Sequence, residues 1–361
     1  MSWFRLFLLS PILIGVISST FKNRKKAFFT IYGIVTFLFF ALRTRNMGSG
    51  DAQIYFNLWE NLSRRPLVLD NVWRVFQFDM EKGFLLSAWM LSRVFHNGQF
   101  VFVFAAILFS YSLCTFFSEN CSDYVLGTLM VSSIGLTSFF LQGLRQSLAI
   151  SICLLSIKYC KERKLFKFLL TVGIASLFHT SALVFVPVYF IYGVHLNWKS
   201  IGFVCVLGIM GPVLLNRVTQ LANFFMNESY VGGNTDKTSG GIITFVMYLC
   251  LILYCIMSRN EKHKCEKDPV SYTDYSFSFF LLLLCVVFFS MRFFYISVFE
   301  RASYYFLPFV PVAVGATYSR YMKKSRKFVR LIFYAVFSML ALYKSGASSP
   351  LSAYDFFWNV T

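Results

Sequence analysis

Residues 3–42 read WFRLFLLSPILIGVISSTFKNRKKAFFTIYGIVTFLFFAL, and this stretch decides the fold. Two apolar runs, 3–21 and 27–42, stand on either side of the basic cluster KNRKK at 22–26. A run of about 20 apolar residues is what crosses a hydrocarbon core of about 30 Å. Lysine and arginine crowded between two such runs mark the cytosolic side. The first run has almost no basic region before it, so it predicts a retained span with its N-terminus outside, not a cleaved signal peptide. Arg43 and the loop after it then fall outside the cytosol.

The rest of the chain repeats this pattern. Of the 361 residues, 57% are apolar and 20% aromatic, and the mean hydropathy is +0.62. A soluble domain has an apolar share nearer about 45 to 50%. The net charge of +18 does not point to nucleic acid. More than half of the basic residues sit in four clusters between apolar segments: KNRKK, KYCKERKLFK at 158–167, RNEKHKCEK at 259–267 and RYMKKSRKFVR at 320–330. Anionic lipid headgroups are the neighbours such clusters imply. The nine cysteines lie mostly inside apolar segments, which predicts reduced packing residues.

Span by span, the pattern predicts an all-α polytopic membrane protein with about twelve transmembrane helices. The later segments are 99–117, 124–140, 147–160, a hairpin over 165–194 turning at Phe178 and His179, then 200–216, 242–258, 276–296, 302–319 and 328–344. The run 84–95 is too short to cross and reads as a re-entrant or interfacial helix, which also keeps KERK cytosolic. The whole chain is expected to be one integral membrane domain with extracytoplasmic loops at about 43–98 and 217–241. In this topology Gly50 and Gly143 face out while Lys161 and Lys264 face in. The Gly-rich stretch 227–241 is expected to act as a lid. There is no internal repeat, P-loop, dinucleotide fingerprint or metal-ligand spacing, so neither a metal nor a cofactor is expected.

The stretch RTRNMGSGDAQIY (43–55) is where chemistry is expected. Gly48 and Gly50 permit a sharp turn. If the run after it is helical, Asp51 and Tyr55 share a face. The same residues also suit a plain membrane-exit loop with Asp51 capping a helix. The topology places Arg43, Arg45, Asp51, Glu81, Arg145, His179, Glu300 and Arg301 at the outer side. Ionisable residues near spans usually face a cavity or a partner, so convergence on a shared polar cavity is expected.

Five short motifs in order, LRTRNMGSGDAQIY, EKG (81–83), LRQSLA (144–149), FHTSAL (178–183) and ERASYYF (300–306), resemble the EpsG family of Wzy-type polysaccharide polymerases. The resemblance implies an enzyme of the bacterial inner membrane. It would join oligosaccharide repeat units carried on polyprenyl (undecaprenyl) diphosphate, for O-antigen, capsule or exopolysaccharide. A flippase and a chain-length regulator of the same pathway are the implied partners, and nucleic acid is not. Such a reaction needs cations where a diphosphate departs, for which arginine's planar fork is suited. Arg145 and Arg301 are the candidates, assisted by Arg43 or Arg45. It also needs a base for the acceptor hydroxyl, and Asp51, Glu81 and His179 all qualify. Glu300 can pair with Arg301, and Tyr55, Tyr304 and Tyr305 can stack on sugar rings. Two other readings compete: a membrane glycosyltransferase using a polyprenyl-phosphate sugar, and a lipid-linked glycan flippase or transporter. The transporter would show inverted repeats and broken spans.

Overall fold

The computed structural model describes residues 3–46, 51–64, 80–203, 206, 240–258, 269–294, 297–318, 323–346 and 354–359. Residues 217–239, which hold most of the expected lid, lie outside these, as do Gly48, Gly50 and the basic cluster 259–267. The described residues are predominantly helical with no strand among them. An isolated antiparallel bridge joins Arg43 to Phe356.

In order the helices are α1 (Trp3–Ser18), α2 (Arg24–Ala41), α3 (Asp51–Arg64), α4 (Lys82–Ser92), α5 (Phe100–Asn120), α6 (Tyr124–Ile134), α7 (Leu136–Gln142), α8 (Leu144–Lys161) and α9 (Leu165–Ser176). After a 3-10 helix (Thr180–Phe185) come α10 (Val188–Ile191), α11 (Gly240–Met257), α12 (Pro269–Ser290), α13 (Ser297–Ser303), α14 (Phe309–Tyr318) and α15 (Lys323–Lys344). The chain divides into two compact units. The first is Met1–Val186 with Leu331–Thr361, the second Pro187–Arg330.

In the first unit, local signals set the helix starts. The Asn23 side chain accepts from the Lys26 amide at 3.1 Å and opens α2, while Asp123 accepts from the Leu126 amide at 3.2 Å and opens α6. With 21 residues, α5 is about 31 Å long at about 1.5 Å per residue. Among the described residues it alone is long and apolar enough to cross a membrane as one helix.

The run 124–140, expected as a single span, is two helices. Gly135 sits at φ +126°, a conformation that favours glycine, and α6 and α7 diverge by 52° there. Taken together they are apolar enough for a second candidate span, either broken or re-entrant, so the described residues hold one or two candidates and the expected total of about twelve spans is not established. The hairpin after residue 165 does reverse: α9 ends at Ser176 and the Phe185 ring returns to lie 6.3 Å from Phe168. Its returning limb starts as a 3-10 helix. Several helix faces carry large exposed apolar side chains, with Leu13 63%, Ile34 54% and Phe166 78% exposed, as lipid-facing surfaces do.

Helix ends in this unit are closed by cations from distant parts of the chain. Lys344 Nζ donates to the Ile134 carbonyl at the end of α6 (2.7 Å), Arg43 to the Leu141 carbonyl in the last turn of α7 (2.6 Å), and Arg5 to the Ser345 carbonyl just past α15 (3.3 Å). The last carbonyls of a helix have no partner of their own and carry partial negative charge, so a buried cation satisfies both needs.

The second unit is held by interleaved aromatics. Tyr248 meets Phe289 edge-on at 5.2 Å and Phe277 meets Phe309 at 5.8 Å, while the Tyr275 hydroxyl donates to the Cys255 carbonyl at 3.1 Å.

Candidate active site

The platform of the site is α3. Ala52, Tyr55, Phe56, Trp59 and Leu62 recur at helical spacing and are buried, while Gln53, Asn57 and Asn61 on the other side are exposed. The buried stripe packs with Phe84, Leu85 and Ala88 of α4, Val101 and Phe102 of α5, and Leu144 and Leu148 of α8. Trp59 Nε1 ties the platform down by donating to the Phe95 carbonyl at 2.6 Å. A Cβ on Gly98 would come within 2.7 Å of Phe56, so only glycine lets this turn lie on α3.

A second close approach brings α4 to the end of α9. The Gly83 and Phe84 amides both donate to the Leu177 carbonyl, at 2.9 and 3.3 Å. A Cβ at Gly83 would stand 2.6 Å from Leu177 Cβ and 2.7 Å from its oxygen. The bare backbone of Gly83 therefore lets the N-terminus of α4 dock where α9 ends. Docking puts Glu81, the residue before α4, next to His179, the residue before the 3-10 helix.

Four side chains meet here. His179 Nδ1 lies 2.5 Å from Glu81 Oε1, and Arg145 NH1 donates to Glu81 Oε2. Arg145 Nε donates to the Tyr55 hydroxyl at 2.9 Å, and the guanidinium lies 5.8 Å from the centre of the Tyr55 ring. The Glu81, Arg145 and His179 side chains are only 13%, 15% and 14% exposed. Burial by itself would raise the Glu81 pKa. The hydrogen bond from His179 and the charge of Arg145 outweigh it and hold the carboxyl below its ordinary range. Glu81 also sits at the positive end of α4, which favours the anion.

An ionised carboxylate only accepts hydrogen bonds. Nδ1 of His179 must therefore carry its proton toward Glu81. In that tautomer Nε2 carries the lone pair of the ring, the nitrogen at which a proton could be taken up beside the carboxylate.

The structure thus unites Tyr55, Glu81, Arg145 and His179. Asp51, in the first turn of α3, is half-buried, and the run from Asp51 is the helix that puts it on one face with Tyr55. Arg45 is exposed and lies 5.1 Å over the Phe56 ring. Arg43 turns inward, 2% exposed, with its guanidinium 4.9 Å over Phe102. Burial pushes its pKa down to about 10, which leaves it charged at neutral pH. Glu300, Arg301, Tyr304 and Tyr305 belong to the second unit. There Arg301 is exposed on α13, Glu300 and Tyr304 are half-buried and Tyr305 is fully buried. Among the described residues no three His, Cys, Asp or Glu side chains gather as a metal site would need.

Sequence reasoning missed Gly83 and the Leu177 carbonyl, which bring Glu81 to His179. The EKG motif contained Gly83, but the reason for it is a partner ninety-odd residues away. It also missed Gln99, whose amide donates to the Ala41 and Arg43 carbonyls at 2.7 and 2.9 Å and fixes the exit from α2.

Helices with lipid-type surfaces among the described residues, together with a carboxylate, an imidazole and a guanidinium joined at helix ends, are the features of a membrane protein with a polar cluster. The EpsG family model matches residues 9–358, and the chain belongs to the EpsG family. No curated protein and no solved structure matches it.

Proposed function

We propose that the chain is a polysaccharide polymerase, a glycosyltransferase that joins polyprenyl-diphosphate-linked oligosaccharide repeat units at the outer face of a bacterial inner membrane. Family membership supports the class, and one observation carries the chemistry: the Glu81 carboxylate is shared between His179 and Arg145. In this reading His179 Nε2 takes the proton from the acceptor hydroxyl as its oxygen bonds to the anomeric carbon of the donor. The bond from that carbon to the diphosphate oxygen breaks, and polyprenyl diphosphate leaves as an anion. Glu81 holds the imidazole in the right tautomer and balances the charge it acquires. Arg145 keeps Glu81 ionised and is a positioning residue. The departing diphosphate needs an exposed cation, and Arg45 is an exposed arginine of the same unit as the cluster. An imidazole base of this kind contributes on the order of 10² to 10⁴ in rate.

The test is the glycan profile of a deletion strain carrying the wild-type gene or His179→Gln at equal membrane abundance. The proposal expects single repeats in the variant and a ladder of long chains in the wild type. Truncated repeats would identify a transferase that adds single sugars, and repeats trapped inside the cell a flippase. Either result overturns the proposal.

A further inference from the structure

The exit of α2 and the entry of α8 meet at one corner. The Arg43 guanidinium donates to the Leu141 carbonyl, and two residues on, Gly143 opens α8, whose second residue is Arg145. The Gly143 amide is bonded to the Phe139 carbonyl at 2.7 Å and its own carbonyl accepts from the Ser147 amide at 2.8 Å, so the corner is rigid only if α7 keeps its end. Arg43 itself is held from two sides. Gln99 grips the Arg43 carbonyl. Residues 354–357 run back along it: the Thr44 amide donates to the Asp355 carbonyl at 3.0 Å, the Phe357 amide to the Leu42 carbonyl at 2.9 Å, and the Tyr354 hydroxyl to the Phe39 carbonyl. A side chain meant for a lipid diphosphate would reach toward the membrane surface. This one is among the most deeply buried cations of the unit and points at a helix end.

We infer that Arg43 is a positioning residue: clamped by Gln99 and residues 354–357, it fixes the end of α7 and so sets where Arg145 meets Glu81. The inference rests on the cluster of Tyr55, Glu81, Arg145 and His179 being the working site, but its physical part needs no activity to be measured. Losing a charge-assisted bond to a buried carbonyl frees the first turn of α8 without unfolding α5. Lysine at position 43 keeps a cation within reach of Leu141. Methionine keeps the bulk and removes the charge.

Hydrogen exchange of the full-length protein in lipid nanodiscs reads this directly. In Arg43→Met the amides of Ser147, Leu148 and Ala149 should exchange about tenfold faster or more, those in the middle of α5 should be unchanged, and Arg43→Lys should restore the wild-type rate. In cells Arg43→Met should give short chains and Arg43→Lys long ones. If Arg43→Met abolishes polymer while exchange in α8 stays at the wild-type rate, Arg43 touches substrate and the inference is overturned. It is equally overturned if exchange rises and chain length does not change. Should Arg43→Met fail to accumulate, Gln99→Leu keeps the guanidinium but removes the grip on its backbone. Faster exchange at the same three amides supports the inference, and unchanged exchange overturns it. Failure of the polymerase reading alone would leave the exchange result intact.

Discussion

Arg43 and Arg145 are one side chain put to two uses in the same unit. Both are withdrawn from water, Arg43 at 2% and the Arg145 side chain at 15% exposure. Arg43 faces a backbone carbonyl and an aromatic ring, neither of which can gain or lose a proton near neutral pH. Arg145 faces a carboxylate that in turn orients an imidazole, and a phenol. A buried cation therefore marks a reactive site by its partner's chemistry and not by its own burial. At the corner the charge satisfies geometry, and at the cluster it controls ionisation.

The most severe test of this contrast is Glu81→Gln, which keeps the shape and removes the charge that orients His179. Chain extension in membrane vesicles should fall by about 10² to 10⁴. A rate close to wild type would make the cluster as purely structural as the corner.

Exchanging arginine for lysine should separate the two positions. Arg145→Lys keeps a charge but loses the fork that serves Glu81 and Tyr55 together, and should slow extension by about 10²-fold, whereas Arg43→Lys should stay near wild type. Equal losses at both positions would erase the distinction.

Ionisation distinguishes them further. The folded pKa of Glu81 is depressed, so its anion adds stability above the ordinary carboxylate value of 4.5, and this is lost as pH falls through the lower folded value. The melting temperature of the detergent-solubilised wild type should therefore lose this contribution only below about pH 4.5. In Arg145→Gln this acid-dependent loss should shrink, because without its cation the folded value of Glu81 rises toward the ordinary one. In Arg43→Lys it should not move.

Two smaller effects refine the contrast. Gly83→Ala drives a Cβ into Leu177 and should cost about 1 to 3 kcal/mol in stability, together with a loss of extension rate as Glu81 withdraws from His179. Tyr55→Phe removes a hydroxyl that accepts from Arg145 and should cost only about 0.5 to 1.5 kcal/mol, seen as a modest fall in melting temperature.

Much of this was legible from the residues, and the limits have physical causes. The helical class follows from composition, and Glu81, Arg145 and His179 are three of the eight residues that charge and side of the membrane pick out, their roles coming only with the family resemblance. The shared face of Asp51 and Tyr55 is conditional on a helix after the turn, and that helix is present. Three candidate bases remained open because side-chain pairing depends on tertiary docking. The approach of Gly83 to Leu177 joins two segments whose sequences do not mention each other. The break at Gly135 lay inside an apolar run, where a single glycine is common and only its positive φ reveals a bend. The inward turn of Arg43 was hidden for a similar reason, since Gln99 and residues 354–357 decide where that side chain goes.

The strap over Arg43 has a consequence for how the protein is made. Tyr354 closes on Phe39 across 315 positions of sequence. At synthesis rates of about 5 to 20 residues per second, the ribosome needs roughly a quarter of a minute to a minute to travel that far. Throughout that interval the end of α2 has no strap, and Gln99 and the α7 carbonyl can hold Arg43 only once they too have been made. The corner beside Arg145 therefore lacks one of its holds until residues 354–357 are made. A nascent chain that stalls before residue 354 has every residue of the Glu81 cluster but lacks the strap over the end of α2.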